Sequence, residues 1–313
     1  MTLSLRFVLM KLLRLVLTLW AAVTLVFIAV RLSGDPLAVL VPPDLSDAML
    51  AQYRERFGLD ASLPVQYLRY VQGILAGDFG VSFRTGGPAW DLVAERISAT
   101  LVLALAALGL SLLIGIPAGV VAATWRGTVI DRALMAGAIF GYAMPNFFLG
   151  ILLILLFTMQ LGWLPSGGFN SPAALIMPAL TLGLAAAGAY ARFTRSALLE
   201  VMGAPWMRTA RAKGLPWRRR MLVHALRATL VPLVTLLGFT LGAMIGGAVV
   251  TETVFAWPGL GRLLVVSVAE RDLAVVQLIV LLAAATMAVT NMTVDLLYGL
   301  LDPRIGSARR QGR

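Results

Sequence analysis

The sequence of 313 residues contains no cysteine and only one histidine, His224. Without cysteine there is no disulfide, no thiolate metal site and no thiol catalysis, and one histidine does not form a metal cluster. Charge is also scarce, because 13% of the residues are Asp, Glu, Lys or Arg, against about 25% in an average soluble domain. Since 59% of the residues are hydrophobic, we predict a membrane protein: a soluble fold of this size could not bury so much apolar surface.

A phosphate-binding loop, whose pattern is G-x-x-x-x-G-K-[ST], is missing as well. The only two lysines, Lys11 and Lys213, are followed by Leu and Gly. We therefore predict that the chain is not an enzyme and has no catalytic, cofactor-binding or metal-binding residues of its own. Either another polypeptide drives its action, or the chain works passively.

Six apolar segments are long enough to cross the roughly 30 Å hydrocarbon core of a bilayer as helices. The third and fourth share a charge-free run of 59 residues, which the turn-forming segment Gly162–Pro172 divides. Pro117 and Pro145 lie inside apolar runs and indicate kinks. The predicted fold is therefore an all-α membrane protein with six transmembrane helices, near Leu12–Val30, Ala99–Ala123, Ala133–Leu161, Ala173–Ala191, Ala228–Thr251 and Leu273–Val294.

Charge is distributed unequally over the two sides of these spans. The side that holds both termini has 18 of the 26 basic residues but only four of the 15 acidic ones. Membrane proteins keep Lys and Arg in cytoplasmic loops, so both termini are predicted to be cytoplasmic. The largest contribution comes from the loop 192–227, which has nine basic residues.

No charged residue lies near the middle of any predicted span. This argues against an ion-coupled carrier, which needs a titrating group there, and against an intramembrane enzyme. The strongest polar candidates for a pore are Asn146, Gln160 and Asn291, although hydrogen bonds between helices also explain them. Glycines at four-residue spacing indicate either close helix packing or a moving pore wall. They are Gly115 and Gly119, Gly137 and Gly141, and the set Gly238, Gly242 and Gly246.

Within the basic loop, the segment Phe193–Met202 has helical spacing and ends at Gly203. The next segment, from Trp206 to Lys213, has strong helix formers and ends at Gly214, a residue suited to the left-handed position after a helix. The segment is about two turns long, which is too short to be stable alone in water. Two interpretations stay open here: a helix that docks into a groove of a partner protein, or a charged loop that sets topology and touches anionic lipid. A nucleic-acid role is not indicated, because no stacking platform accompanies the charge.

The order of residues in this loop resembles a known family. The segment Arg208–Gly214, followed by His224–Ala228 and Leu230–Pro232, is similar to the cytoplasmic loop of bacterial ABC-importer permeases, and more narrowly to the B-type permease of dipeptide, oligopeptide and nickel importers. Such permeases have Glu-Ala-Ala, three residues and Gly, whereas here Arg208 stands in place of the acid. The resemblance continues in order through Ser33–Pro36, Pro64–Tyr67, Gly77–Gly80, Ser82, Glu95–Arg96, Gly162–Pro165, Thr251–Phe255, Pro258–Gly261, Asp295–Tyr298 and Leu301–Arg304.

The resemblance implies a type I ABC importer permease fold, MetI-like, with an extra N-terminal span. The chain would then consist of a first span with a periplasmic segment (1–95), a five-span transmembrane domain (96–304) and a cytoplasmic tail (305–313). Implied partners in the bacterial inner membrane are a second homologous permease, two cytoplasmic ATPases that use ATP and Mg²⁺, and a periplasmic solute-binding protein. Coupling to the ATPases would fall to Arg208, Thr209, Ala210, Arg211, Ala212, Lys213 and Gly214.

The implied function is import of a small solute by alternating access, with di- and oligopeptides as the first expectation and nickel complexes or glutathione as others. A stand-alone secondary transporter or channel is the competing hypothesis. The external segment 31–96 is expected to include a surface helix over Leu45–Phe57. It would either contact the binding protein or only shield the mouth of the pore.

Overall fold

The structure is a computed structural model that describes residues 5–32, 47–56 and 59–301. These residues are almost entirely helical, and the only β interaction among them is an isolated bridge between Val81 and Pro88. The all-α prediction is confirmed. The predicted motif Ser33–Pro36 and the predicted tail 305–313 lie outside the described residues.

The helices follow one another along the chain with few long connections. Two π-helical segments accompany them, Ile154–Gln160 after α6 and Arg220–Ala225 between α9 and α10, and a 3₁₀ turn, Pro172–Leu175, leads into α7. In order, the helices are α1 (Leu5–Leu32), α2 (Asp47–Arg56), α3 (Leu63–Ala76), α4 (Ala89–Thr124), α5 (Val129–Ala143), α6 (Asn146–Leu153), α7 (Ile176–Gly203), α8 (Pro205–Ala212), α9 (Trp217–Arg219), α10 (Leu226–Val254), α11 (Leu260–Ala269) and α12 (Leu273–Leu301). The predicted surface helix is α2; Leu45, Ser46 and Phe57 lie outside the described residues.

Helices lie at all six predicted crossings. The pair Val129–Ala143 and Asn146–Gln160 is long and apolar enough to span a membrane when its halves are counted together. α10, with 29 residues, coincides with the predicted span Ala228–Thr251, which has no charged residue. Four other stretches are each long and apolar enough to span a membrane on their own, namely Leu9–Ala29, Ala89–Thr124, Pro172–Gly203 and Leu273–Thr293.

The third predicted span, Ala133–Leu161, is not one continuous helix. The chain bends by 102° between α5 and α6. Pro145 explains the break, because it has no N–H to donate to the preceding turn and it holds Met144 in an extended conformation, with a ψ of 127°. α5 has 15 residues, or about 22 Å of helix, so it does not cross about 30 Å of hydrocarbon without the second half.

The fourth predicted span and the helix predicted over Phe193–Met202 form one continuous helix, α7, which ends at Gly203 as predicted. α7 passes Ala191 without a break, so Arg192 and Arg195 are helical residues. The physical reason is that the buried face of the helix continues: Thr194 and Leu198, one turn apart, are both fully buried. At the other end of the basic loop, α9 runs through the π-helical turn into α10 without interruption. Irregular backbone is therefore confined to short connections around α8.

The chain forms two compact units, and the first comprises the described residues up to Thr100 together with 258–289. α1 packs against α3 through Phe27, whose ring centroid lies 5.3 Å from that of Tyr67 and 5.8 Å from that of Tyr70. These contacts hold α3 against the first predicted span. The core of the unit joins the beginnings of α4 and α12 through Ala89, Val93, Ala274, Val275, Leu278 and Ile279.

The second unit comprises residues 101–257 with the described residues from 290. α7 is its central helix and packs against most of its other elements. α4 approaches α7 so closely that a Cβ on Gly115 would lie 2.6 Å from the carbonyl oxygen of Ala187. A Cβ on Gly119 would lie at the same distance from the carbonyl oxygen of Ala191. For this glycine pair the packing interpretation is confirmed, because only glycine permits such an approach.

α5 also reaches the backbone of α7. Gly188 lies so close to the carbonyl group of Ala138 that no Cβ fits between them. The predicted pair on α5 behaves differently: a Cβ on Gly141 would be 3.4 Å from the carbonyl oxygen of Leu184, and one on Gly137 would meet no atom within 4 Å. The close contact between these helices therefore depends on a glycine of α7 and not on those of α5.

Two loops that carry family-like residues pack on each other in this unit. The N–H of Gly168 donates to the carbonyl oxygen of Phe255 at 2.9 Å, and the carbonyl group of Phe255 leaves no space for a Cβ on Gly167. The ring of Phe169 meets the buried Trp257 edge to face at 4.9 Å. The two loops thus pack on each other through Phe255 and Trp257.

Candidate coupling site

α8 is a short helix with a defined beginning and end. Pro205 starts it at a position where a missing N–H costs nothing. After its end, Gly214 has a φ of 75°, which glycine adopts without strain. The N–H of Gly214 donates to the carbonyl oxygen of Arg211 at 3.0 Å, and the N–H of Leu215 to that of Ala210 at 3.3 Å. These two bonds form a Schellman motif, which closes the helix as the position of Gly214 in the sequence predicted.

One side of α8 is anchored to the bundle. Met207 is 5% exposed and packs in a cluster with Leu198 of α7 and with Met221 and Ala225, which precede α10. Ala210 borders the same cluster. Because an eight-residue helix has little stability of its own, this burial holds α8 in place. Met207 therefore connects α8 to α7 and to the segment that precedes α10.

The other side of α8 faces outward. Trp206 is 47% exposed, and of the seven predicted coupling residues only Ala210 is turned partly inward. The exposed face combines one large aromatic ring with three cations, which suits a groove in a partner protein. The exposed coupling residues are Arg208, Thr209, Arg211, Ala212, Lys213 and Gly214.

A partly buried ion pair, which was not predicted from the sequence, joins α5 to α7. Arg195 donates from Nε and Nη2 to the two carboxylate oxygens of Asp131, at 2.7 and 2.8 Å. Asp131, whose side chain is 4% exposed, also accepts the N–H of Gly127 at 2.9 Å. Bidentate pairing of this kind fixes the relative position of two helices. Their positions in the sequence could have indicated this pair. Both residues lie close to the ends of the charge-free run 133–191, where an unpaired charge is costly.

In the first unit, a buried carboxylate holds the loop between α3 and α4. Asp272, which is 2% exposed, accepts a hydrogen bond from Oγ of Ser82 and another from the N–H of Phe83 at 3.1 Å. Oγ of Ser82 in turn accepts the N–H of Thr85 at 3.2 Å. Ser82 is one of the residues that carry the family resemblance. Its buried hydrogen bonds explain why a serine is suited to this position.

The remaining predicted site residues lie on three other helices. Asn146 is the first residue of α6, directly after the bend, and Asn291 is exposed on α12. Gly238 is buried in α10; Gly242 and Gly246 belong to the same helix, but their surroundings lie outside the described residues. The structure does not combine them with α8 into one site, and a role in the pore stays a prediction.

Two family models cover nearly the whole chain. Residues 4–104 match the N-terminal part of the binding-protein-dependent transport system membrane components. Residues 115–307 match the binding-protein-dependent transport system inner membrane component. The chain belongs to this family. The permease is thus a membrane subunit of an ABC importer, as the resemblance predicted.

The permease is similar over almost its full length to glutathione permeases. It is 42% identical over 302 residues to the glutathione transport system permease protein GsiC of Salmonella paratyphi A, which covers 96% of this chain and 99% of the relative. Identity to the protein of the same name from Escherichia coli strain K12 is 41% over 302 residues, with the same coverage.

The permease also resembles a solved structure. One chain of the MetNI methionine ABC transporter in an inward-facing conformation matches it with a TM-score of 0.55 and 23% identity, over 67% of this permease and 96% of that chain. At this identity the likeness concerns the fold alone, and it confirms the predicted type I permease fold. The N-terminal family match accounts for the extra first span.

Proposed function

We propose that this permease and a second homologous permease together form the pore of an importer for glutathione or short peptides, with α8 as the coupling helix for the ATPases. The observation that carries the proposal is the construction of α8, which is capped by Gly214, anchored by Met207 and exposed on its basic face. The named relatives support glutathione, and the motif resemblance supports di- and oligopeptides.

In the proposed mechanism, closure of two ATP-bound ATPases pushes α8. Because Met207 is packed against Leu198 and Met221, the push reaches α7 and α10 directly. α4 moves with α7, since the contacts at Gly115 and Gly119 leave no room for sliding. The result is a rigid-body change between outward-open and inward-open states.

The proposed location is the bacterial inner membrane, with both termini and α8 in the cytoplasm, as the excess of Lys and Arg on that side supports. The absence of cysteine allows a direct test, because a single cysteine is introduced without removing any natural one. Thr85→Cys and Thr209→Cys are both at exposed positions. We expect a membrane-impermeant maleimide to label Thr85→Cys in intact cells and Thr209→Cys only after lysis; the reverse pattern would contradict the orientation.

Gly214→Pro tests the coupling role. Proline cannot adopt a φ of 75°, and it removes the N–H that bonds to Arg211. We expect normal membrane insertion but background uptake of radiolabelled glutathione and dipeptide by proteoliposomes that contain the complete transporter. Gly214→Asn is the matched control, because asparagine tolerates the left-handed region and should keep most of the uptake. Normal uptake by Gly214→Pro would exclude α8 as the coupling element.

Substrate and energy source need separate measurements. ATP hydrolysis by the complete transporter, stimulated by its binding protein loaded with glutathione, a dipeptide or a nickel complex, identifies the solute. The competing hypothesis, a stand-alone transporter or channel, predicts solute flux from this chain alone in liposomes without ATP. We expect no such flux.

A further inference from the structure

Arg192 of α7 contacts the ring of Tyr142 near the end of α5. The guanidinium carbon of Arg192 lies 4.6 Å from the centroid of the ring. Within the described part of the chain Arg192 has no ion pair, and its Nε is buried without a hydrogen-bond partner there. A ring face attracts a cation but does not accept the directional hydrogen bonds of a guanidinium. The N–H donors of Arg192 are therefore available to an anion.

The side chain of Arg192 extends toward the interior of its predicted span. α5 and α7 run antiparallel, because the ion pair described above joins the start of α5 to the later part of α7. The two helices meet at Ala138 and Gly188. Tyr142 and Arg192 each lie one turn after this contact, so their Cα atoms are offset by about 12 Å along the helices. Since side chains lean toward the N-terminus of their helix, these two lean toward each other.

The contact therefore lies inside the charge-free run 133–191. Tyr142 is nine residues from the start of this run, or about 14 Å along the helix, and half the thickness of the hydrocarbon core is about 15 Å. An arginine that faced lipid would turn the opposite way, toward the headgroups. Charged side chains at such depth face the interior of a bundle or a water-filled path. Because Tyr142 is 59% exposed, the space beside the pair is open in this chain.

We propose that Arg192 and Tyr142 bind a carboxylate of the transported solute on the wall of the translocation path. Two N–H groups of the guanidinium donate to the carboxylate oxygens, and the ring of Tyr142 holds the cation in place. This inference rests on the proposed function and narrows its solute class. Glutathione and short peptides carry such a carboxylate, whereas a nickel complex without one would gain nothing from the pair.

The absence of cysteine allows the site to be probed directly. In the complete transporter in proteoliposomes, Tyr142→Cys places the only thiol of this chain beside Arg192. Two methanethiosulfonate reagents of similar size, one anionic and one cationic, are compared by mass spectrometry of the labelled chain. We expect both to react, the anionic one faster. Adding Arg192→Gln should lower the ratio of the two rates about tenfold, because a charge in contact with position 142 is lost.

The matched control is Arg132→Gln, which removes a charge from an exposed position of α5 and should leave the ratio unchanged. Arg192→Lys keeps the charge but not the paired donors. It should preserve the preference for the anionic reagent, and it serves as the second variant if Arg192→Gln does not insert.

Uptake measurements connect the site with the solute. With saturating, loaded binding protein, uptake of radiolabelled glutathione and dipeptide should fall about tenfold or more in Arg192→Gln, since charge-assisted hydrogen bonds are lost. Stimulation of ATP hydrolysis by the binding protein should remain, whereas a misfolded variant would lose both. Arg192→Lys should also lose most of the uptake, because lysine does not pair with both carboxylate oxygens.

Three outcomes would overturn the proposal. A thiol at position 142 that reacts with neither reagent, with or without ATP, would mean that this face meets lipid or protein instead of water. An equal fall of the rate ratio in Arg132→Gln would mean diffuse attraction to basic residues. Loss of the second permease from the purified Arg192→Gln transporter would assign Arg192 to a contact between subunits.

Failure of the proposed function is distinguishable from failure of this site. A native transporter that imports neither glutathione nor dipeptide would contradict the proposed function, whatever the reagents show. Native-like import by Arg192→Gln would contradict only the carboxylate site.

Discussion

Replacing Gly115 by alanine should force α4 away from α7. The new Cβ would lie 2.6 Å from the carbonyl oxygen of Ala187 and from Cβ of Tyr190, about 0.8 Å inside ordinary van der Waals contact. The clash is with the backbone, so relief requires movement of a whole helix. Overpacking of this kind costs about 1–3 kcal/mol, while alanine gains at most about 1 kcal/mol over glycine in helix propensity. We expect a net loss of up to about 2 kcal/mol in the free energy of unfolding.

The same helix offers a repeat and a control. Gly119→Ala creates a second clash one turn later, at 2.6 Å from the carbonyl oxygen of Ala191. Because one displacement of α4 relieves both clashes, the double variant should cost less than the two single variants added together. Gly109→Ala is the control: its Cβ would meet no atom within 4 Å, so helix propensity alone should stabilise the protein by up to about 1 kcal/mol.

The assay is equilibrium unfolding of the purified chain in mixed micelles of a mild detergent and sodium dodecyl sulfate, followed by circular dichroism. The variants are compared by the difference in their free energies of unfolding. Because all of them lie on one helix, general effects of the micelle cancel in this difference. Gly115→Ala and Gly109→Ala should shift the free energy of unfolding in opposite directions. If they shift it equally, the close approach of α4 to α7 is refuted.

Three further variants test other contacts. Asp131→Asn weakens the bidentate pair with Arg195, so we expect a lower free energy of unfolding in the same assay; an unchanged value would show that the pair does not join the helices. Asp272→Ala removes the acceptor of the hydrogen bonds from Ser82 Oγ and from the part-buried N–H of Phe83, so limited proteolysis should cut the loop 77–88 faster at unchanged helix content; equal cleavage rates would show that Asp272 does not hold the loop. Met207→Ala removes the anchor of α8 and should cost about 2–4 kcal/mol, with fewer solute molecules imported per ATP hydrolysed; an unchanged ratio would count against force transfer through Met207.

The apolar runs predicted the existence of the long helices for a simple physical reason: about twenty uncharged apolar residues are stable only in lipid. They did not predict the shape of the third span. A proline in an apolar run indicates a kink, but the angle depends on the tertiary contacts available to the freed backbone groups. The end of α7 at Gly203 was predicted, but its continuity across Arg192 was not, because the prediction divided the chain by charge, whereas the helix follows the buried positions Thr194 and Leu198.

The coupling helix was predictable because its signals are local. Pro205 begins α8 and Gly214 closes it, and both act on neighbouring backbone groups. The two polar contacts that the prediction missed are not local: Asp131 and Arg195 are 64 positions apart, and Ser82 and Asp272 are 190 apart. Without an alignment to show paired changes, only the folded structure shows that they meet.

α7 and α8 are separated by a single residue, Ala204. With 28 residues, α7 is a rod about 42 Å long, comparable to the full thickness of a bilayer with its headgroups. It is therefore a lever with one end beside α8. A tilt of about 10° moves the other end by about 7 Å, enough to open or close a passage for a small solute without any change in the helix itself.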